Sequence, residues 1–378
     1  MAMVVYIAEH FENLQDPRIC TMNRRHLFLD IIVIAILAVL CGCEGWADIF
    51  AWAEEHQSWL STFLLLPNGL PSRDCIRRVV SRLDPHQFQR CFAAWTAALC
   101  EATHGEIVAI DGKTLRRSFD RRSGTKALHL VSAWAVKNHV LLGQEAVEKK
   151  SNEITAIPRL LELLDITGAV VTIDAMGCQK EIARQIRAGH ADYLLALKGN
   201  QEQMYEAVQD CFIEHHEDEF ARVVCRRYTT TEHSHGRDEE RHYYQMKAPA
   251  DLPGREEWLD LRTIGMVINE TQCNGKTSDE VRFYLSSLPL GVKRFAEAVR
   301  GHWQVENSLH WTLDVTFDED HSRASKDHGA QNLGLLRRIA LSLLKRYRGD
   351  NRSVRQRRLR AAWNPDYLLR ILEENGAS

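Results

Sequence analysis

The order of apolar and amphipathic segments between residues 106 and 197 constrains the fold of this chain more than any other feature of its sequence. Three β-rich segments come first, and two units follow in which a helical pattern precedes a continuous apolar run. In chain order, the patterns predict strands at 107–111, 128–136 and 140–147, a helix at 156–164, a strand at 169–174, a helix at 181–188 and a strand at 193–197. The run AVVTID at 169–174 lacks the polar alternation of a half-exposed strand, so it predicts a strand buried on both faces.

This order indicates the fold class. Three antiparallel strands followed by two helix–strand units is the order of the ribonuclease H-like fold, so we predict an α/β protein with such a domain at 104–345. Polar, β-rich segments indicate an insertion at about 215–290, separate from the sheet rather than continuing it. Helical patterns predict an α-helical N-terminal domain at 1–103, and residues 346–378 are predicted to form a basic C-terminal tail.

A basic helix is predicted in the N-terminal domain, at 75–83. Arg73 and Arg77 are four residues apart, as are Arg78 and Arg82, so each pair shares one face of a helix. Such a face is a candidate contact for DNA. A solvated helix face with no ligand explains these arginines equally well.

The charge balance excludes a uniformly basic nucleic-acid coat protein. The chain has 48 Lys and Arg against 51 Asp and Glu, a formal net charge of -3, but its basic residues concentrate at 73–82, 116–122 and 345–360. The apolar run at 31–41 is shorter than the roughly 20 residues that cross a bilayer, so we expect a core helix and no membrane association. The ten cysteines include no C-x-x-C pair, which favours free thiols in a reducing cytoplasm over structural zinc.

Two aspartates follow the apolar runs of two predicted strands. Asp111 ends the first strand and Asp174 ends the fourth, and in a sheet of this order the two strands are neighbours. Two carboxylates at one sheet edge repel each other unless a cation neutralises them. Carboxylate oxygens with an incomplete ligand shell suit Mg²⁺ or Mn²⁺, and a pair of such ions supports phosphodiester chemistry. The alternative is that each aspartate only caps the loop that follows it.

A third acidic ligand is sought in the predicted helix at 292–313. At four-residue spacing, His302, Glu306 and His310 share one face of that helix. A glutamate flanked by histidines in this way is a candidate metal ligand, with the histidines near phosphate or the leaving group. A solvated polar stripe is the alternative. The nearby acidic residues that compete for the same role are Asp314, Asp318, Glu319 and Asp320.

Nine stretches in a fixed order carry a resemblance to a known family. They are GWADIFAWAEEH, LPSRDCIRRVVSRLDP, AIDGKTLRRS, EKKSNEITAIPRLLELLDI, TIDAMGCQKEIA, DYLLALKGNQ, SHGRDEER, RGHWQVENSLHWTLDVTFDED and QNLGLLRRIALSLLK. Together they run from about residue 40 to residue 345, and the chain resembles the ISAs1 family of bacterial transposases, in the IS4-like group. It is also similar to the H-repeat-associated proteins of enteric bacteria.

The resemblance implies a DDE transposase whose ribonuclease H-like domain is catalytic. It assigns Asp111, Asp174 and Glu306 as catalytic residues and as ligands of two Mg²⁺ ions, for which Mn²⁺ can substitute. The implied partners are double-stranded DNA, as terminal inverted repeats and target, and a second copy of the chain on that DNA. The implied reactions are hydrolysis at the element ends and 3′-OH strand transfer, in the bacterial nucleoid. A domesticated DNA nuclease and a catalytically silent DNA-binding relic are the alternatives.

One departure from the IS4-like pattern limits what is carried over. Relatives have Y-x2-R-x3-E-x6-K around the glutamate, whereas the corresponding positions here are Val299, His302 and Leu313, and only Glu306 is kept. We therefore expect other side chains to contact DNA. The candidates are Lys113, Lys198, Asn200, His235, Arg237, His302, Asn307 and His310. Ordinary structural or surface roles explain each of them equally well.

Overall fold

The computed structural model of the chain describes residues 9–19, 24–99, 105–119, 127–147, 153–234, 236–273 and 275–375. Its centre is a mixed sheet of nine strands in the order β3-β2-β1-β4-β5-β9-β8-β7-β6. The strands are β1 (Ile107–Thr114), β2 (His129–Ala135), β3 (Val140–Val147), β4 (Val170–Ile173), β5 (Asp192–Leu197), β6 (Cys225–Ser234), β7 (Arg237–Lys247), β8 (Thr263–Cys273) and β9 (Lys276–Ser286). β4 is parallel to both β1 and β5, and the other neighbouring pairs are antiparallel.

Helices precede, connect and follow these strands. They are α1 (Phe28–Leu40), α2 (Trp46–Glu55), α3 (Gln57–Leu60), α4 (Arg73–Arg82), α5 (Pro85–Leu99), α6 (Glu153–Glu162), α7 (Lys180–Ala188), α8 (Glu202–Glu217), α9 (Val292–Val305), α10 (Trp311–Val315), α11 (Gly329–Arg346), α12 (Val354–Trp363) and α13 (Pro365–Glu374). A π-helical turn, Glu306–His310, joins α9 to α10. The chain is therefore mixed α/β with a helical N-terminal region.

The two faces of the sheet pack against different helices. Side chains alternate along β1, so Ile107 and Ala109 join the core that contains α1, α9 and α11, whereas Val108 and Ile110 join the core that contains α6, α7 and α8. Asp111 continues the first set of positions. It therefore faces the side of the sheet that carries α9.

The strands at 225–286 continue the central sheet, so the expectation of a separate insertion is wrong. β9 pairs with β5 from Leu194↔Ser286 to Leu197↔Phe283, and β8, β7 and β6 add to its other side. The reason is the apolar end of β9, because Phe283 and Leu285 are buried in the core on the α8 side. The opposite ends of these strands are mostly exposed and extend beyond the sheet core as a β-arm.

The residues after 345 are folded, which differs from the expected basic tail. α12 and α13 join the same hydrophobic core as α1 and α11. Arg358 is buried and donates hydrogen bonds to the carbonyls of Val39, Cys43 and Thr316, while its guanidinium lies 4.2 Å from the Phe317 ring centroid. Within the described ranges, no helix is long and apolar enough to cross a membrane.

Candidate active site

Asp111 and Asp174 lie side by side on adjacent strands. The parallel ladder between β1 and β4 ends at the pair Ile110↔Ile173, and each aspartate is the next residue. Asp111 does not end its strand as expected, because β1 continues to Thr114 by pairing with β2. Asp174 accepts hydrogen bonds from the amides of Met176 (3.1 Å) and Gly177 (3.4 Å), so it also caps the turn that follows.

Glu306 lies at the end of α9, where its charge acts on Asp111. It begins the π-helical turn, and π-helical turns occur frequently at functional sites. Burial raises the pKa of Asp111 to about 6; the Gly112 amide opposes this rise, and the negative charges of Asp174, Glu153 and Glu306 add to it. Burial and neighbouring negative charge both favour the protonated form of this carboxyl group, and a bound cation would favour the ionised form.

The three carboxylates have the chemistry that a hard cation requires, but they are not arranged as a complete metal site. Asp111, Asp174 and Glu306 supply only oxygen ligands, as Mg²⁺ and Mn²⁺ prefer. Among the described residues, no three His, Cys, Asp or Glu side chains are arranged to hold a metal ion as they stand.

Two histidines border the carboxylates in their neutral form. His302 Nδ1 is 3.1 Å from Thr172 Oγ1, and burial lowers the pKa of this imidazole. Burial, with Arg338 and then Lys113, lowers the pKa of His310 to about 3. His310 Nδ1 is 3.5 Å from Asp111 Oδ2, and its buried Nε2 has no hydrogen-bond partner in the described part of the chain. Both histidines therefore lie inside the site as uncharged groups.

Lys113 is buried in an ion-pair network, not exposed to solvent. Its ammonium contacts Asp314 and lies 3.3 Å from Glu319 Oε2, and Glu319 is in turn 2.6 Å from Arg338. Burial alone would raise the pKa of Glu319, but the neighbouring cations, Arg338 first, outweigh it and lower the pKa to about 2. Asp314 and Glu319, which compete with Glu306 as ligands by sequence, are thus occupied by cations. Contact of Lys113 with DNA stays a prediction.

A buried pair on the other face of β1 was not found from the sequence. Directly under Gly112, His129 Nε2 and Glu153 Oε1 are 2.5 Å apart, and His129 Nδ1 is 2.8 Å from Thr114 Oγ1. A Cβ atom at Gly112 would lie 2.5 Å from both His129 Nε2 and Glu153 Oε1. The glycine beside Asp111 is therefore required by this packing. The 24 residues that separate His129 from Glu153 hide the pair from sequence patterns.

A cavity of about 380 Å³ adjoins Asp174. Lys198 and His302 line it, together with Arg282, whose guanidinium lies 4.5 Å from the centroid of the Trp303 ring. Asn200 donates a hydrogen bond of 2.7 Å to the Ala175 carbonyl, and so it ties the loop after β5 to the loop after β4. Lys198 therefore lies at the site, while Asn200 supports its edge.

The other predicted DNA contacts lie in separate places. Arg73, Arg77 and Arg78 lie on α4, whose buried face packs against α11, and Arg77 is 3.5 Å from Asp74. Arg237 begins β7 in the arm, and His235 lies outside the described residues. Asn307 is exposed in the π-helical turn. Their contacts with DNA stay predictions.

The arm around Arg237 is acidic. A cavity between its strands is lined by Glu232, Asp238, Glu239, Glu240 and Glu270. This surface disfavours phosphate around Arg237.

Comparison with known proteins identifies a family for most of the chain. The family described as "Transposase DDE domain" matches residues 102–343, and "DDE_Tnp_1-associated" matches residues 8–96. YncI of Escherichia coli O157:H7 is 40% identical over 92% of this chain and 90% of its own length. YhhI of E. coli strain K12, an H repeat-associated protein, is 36% identical over 98% of this chain and 99% of its own. Both carry the word transposase in their names.

A shorter relative has a different description. The "Inactive transposase YbfQ" of E. coli strain K12 is 42% identical over 57 residues, which cover 15% of this chain and 68% of that protein. The long matches span both the helical N-terminal region and the sheet with its aspartates. The chain belongs to the family of IS4-like DDE transposases.

Proposed function

We propose that this protein is an active, metal-dependent transposase with a ribonuclease H-like catalytic domain. It would cut the phosphodiester at the ends of its own element and join the freed 3′-OH to target DNA. The observation that carries the proposal is the pairing of Asp111 and Asp174 directly after the last rung of a parallel ladder, with Glu306 at the end of α9. Membership of the family supports DNA as the substrate.

Asp111, Asp174 and Glu306 would hold two Mg²⁺ ions, or Mn²⁺ in their place. When bound, such ions activate the attacking oxygen and stabilise the leaving oxygen. Asp111 is half-buried, and the Gly112 amide, 2.8 Å from Asp111 Oδ1, orients its carboxylate. His302 and His310 are neutral, so each can donate or accept a hydrogen bond. Because neither carries a positive charge, neither would take the place of a metal cation beside the carboxylates.

The same proposal covers the partners. Lys198, beside the cavity at Asp174, is placed to contact a phosphate next to the one that reacts. We also propose that two copies act together on two element ends in the nucleoid, because transposition joins both ends to one target. The exposed arginines of α4 would add contacts that position the DNA.

The test uses the element's own end as a DNA duplex, both uncut and pre-cut to expose the 3′-OH. With Mg²⁺ or Mn²⁺, wild type should cleave the uncut end and transfer the pre-cut end into plasmid, and Asp111→Ala should do neither. Asp251→Asn, at an exposed carboxylate, is the matched control and should behave as wild type. Cleavage without transfer would instead indicate a domesticated nuclease. Wild type as inert as Asp111→Ala, with intact DNA binding, would indicate a silent relic.

A further inference from the structure

A second groove lies on the opposite side of α9 from the cavity at Asp174. Its volume is about 470 Å³, and α9 lines it with Lys293, Arg300 and Gln304. These residues are spaced by seven and four, so they share one helix face. The cavity at Asp174 instead takes His302 and Trp303 from the helix. The groove therefore follows the same helix towards Glu306 without being part of the carboxylate site.

Two lysines in this groove make no ion pair with a carboxylate among the described residues. Lys137 Nζ donates to the Gly105 carbonyl, a neutral acceptor, at 3.1 Å. Lys293 Nζ lies 5.9 Å from the centroid of the Tyr228 ring. Both side chains are exposed. The groove is thus lined by two cations that are available to an incoming anion.

The other charges that line the groove are already paired. Arg300 Nη2 donates to both carboxylate oxygens of Glu232, each at 2.7 Å. Glu297, an acidic residue at the rim, is 3.2 Å from Arg294. The free charge of the groove is therefore positive.

Buried hydroxyls end at the wall formed by β6 and β7. Tyr243 and Thr230 line the groove and lie near one another. Burial raises the pKa of Tyr243, and a side-chain hydrogen bond with Thr230 opposes the rise. Tyr243 is fully buried, so this pair belongs to the floor of the groove.

More positive charge lies beyond Lys137. His139 lines the same groove, and burial lowers its pKa, with Lys345 and then Arg348 adding to the effect. The amide of Leu141, two residues after His139, donates a hydrogen bond of 3.2 Å to Ser342 Oγ, so the end of α11 and its basic residues lie near the groove. The two exposed ammonium groups that line the groove match a phosphodiester backbone, whose phosphates carry the opposite charge.

We propose that this groove binds the backbone phosphates of the DNA strand that is held in the carboxylate site. The inference rests on the proposed function. Along α9, Arg300 and Lys293 precede Glu306 by about 9 Å and about 20 Å at 1.5 Å per residue. At about 3.4 Å per nucleotide of one strand, the bound phosphates lie roughly three to six nucleotides from the cleaved one.

The experiment measures binding of the full chain to the element-end duplex by fluorescence anisotropy across a salt series. Lys137→Ala with Lys293→Ala should weaken binding on the order of tenfold, and the slope of log affinity against log salt should fall by about two. Lys276→Ala, at an exposed lysine that begins β9, is the matched control and should bind as wild type.

A second duplex makes the test specific. It carries neutral methylphosphonates three to six nucleotides from the cleaved phosphate. On this duplex, wild type and the double lysine variant should bind equally, because the phosphate charges that the lysines contact are gone. The inference is overturned if the double variant binds the natural duplex as wild type does, or if its defect persists on the methylphosphonate duplex. Wild type that neither binds nor cleaves the natural end would instead refute the proposed function.

Discussion

Gly112→Ala tests the packing beneath the candidate active site. In a strand, replacing glycine by alanine ordinarily stabilises a protein by about 0.4–1 kcal/mol, because it reduces the conformational freedom of the unfolded chain. Here the structure predicts the opposite sign. The new Cβ would lie 2.5 Å from His129 Nε2, 2.5 Å from Glu153 Oε1 and 2.8 Å from Glu153 Cδ, so the buried pair must separate.

The magnitude follows from two costs. Forcing extra volume into a packed interior costs about 1–3 kcal/mol, and losing a buried hydrogen bond to a charged group costs about 1.5–3 kcal/mol. After the gain from the unfolded chain is subtracted, we expect Gly112→Ala to lower the free energy of unfolding by about 2–5 kcal/mol. DNA cleavage should also fall, because a displaced residue 112 would move the amide that donates to Asp111 Oδ1.

The assay is urea unfolding followed by circular dichroism, with DNA cleavage measured on the same preparations. Gly199→Ala is the matched control, because nothing lies within 4 Å of a Cβ at that position. It should change the free energy of unfolding by less than about 1 kcal/mol. In a Glu153→Ala background, Gly112→Ala should cost less, since one of the two clashing side chains is gone. Equal stability of Gly112→Ala and wild type would refute the placement of His129 and Glu153 under β1.

Two further predictions concern charge and the C-terminal segment. Because burial raises the pKa of Asp111 to about 6, the metal-free folded state holds this proton more tightly than the unfolded chain, and stability falls as pH rises from about 4 to about 6. In urea unfolding, Asp111→Asn should therefore be more stable than wild type above pH 6, by about 1–3 kcal/mol. Below pH 4 the two proteins should be equally stable. A constant difference at all pH values would contradict this prediction. Arg358→Ala should lower the free energy of unfolding by about 2–4 kcal/mol, because it removes donors from buried carbonyls. Arg355→Ala, at an exposed position, is the control and should lower it by less than about 0.5 kcal/mol. Equal thermal unfolding of the two variants would show that α12 is not packed as described.

Local patterns predicted the part of the fold that positions the aspartates. The continuous apolar run before Asp174 identified β4 within one residue at each end, and the predicted third strand coincides with β3 (Val140–Val147). The helix–strand units require parallel neighbours, so the closeness of Asp111 and Asp174 followed from topology. These features depend on residues near one another in sequence.

Features that depend on distant residues were not predicted. The join between β9 and β5 needs a pairing across about 90 residues, and nothing in the polar pattern of the arm signals it. By sequence, Arg358 resembles a tail residue because it lies in a basic run. In the fold, its guanidinium donates hydrogen bonds to carbonyls more than 300 residues away, in α1 and in the turn that follows α1. The burial of Lys113 likewise depends on Glu319, which is 206 residues away.

The central claim is that Asp111, Asp174 and Glu306 together hold the metal ions that act on DNA. The most direct measurement is the anomalous signal of Mn²⁺ in crystals of the protein bound to its element end. The account predicts Mn²⁺ peaks roughly 2.0–2.5 Å from carboxylate oxygens of all three residues, with a phosphate oxygen of the DNA completing the shell. Mn²⁺ bound elsewhere in the complex, with these carboxylates free of metal and the cleaved phosphate distant from them, would contradict it.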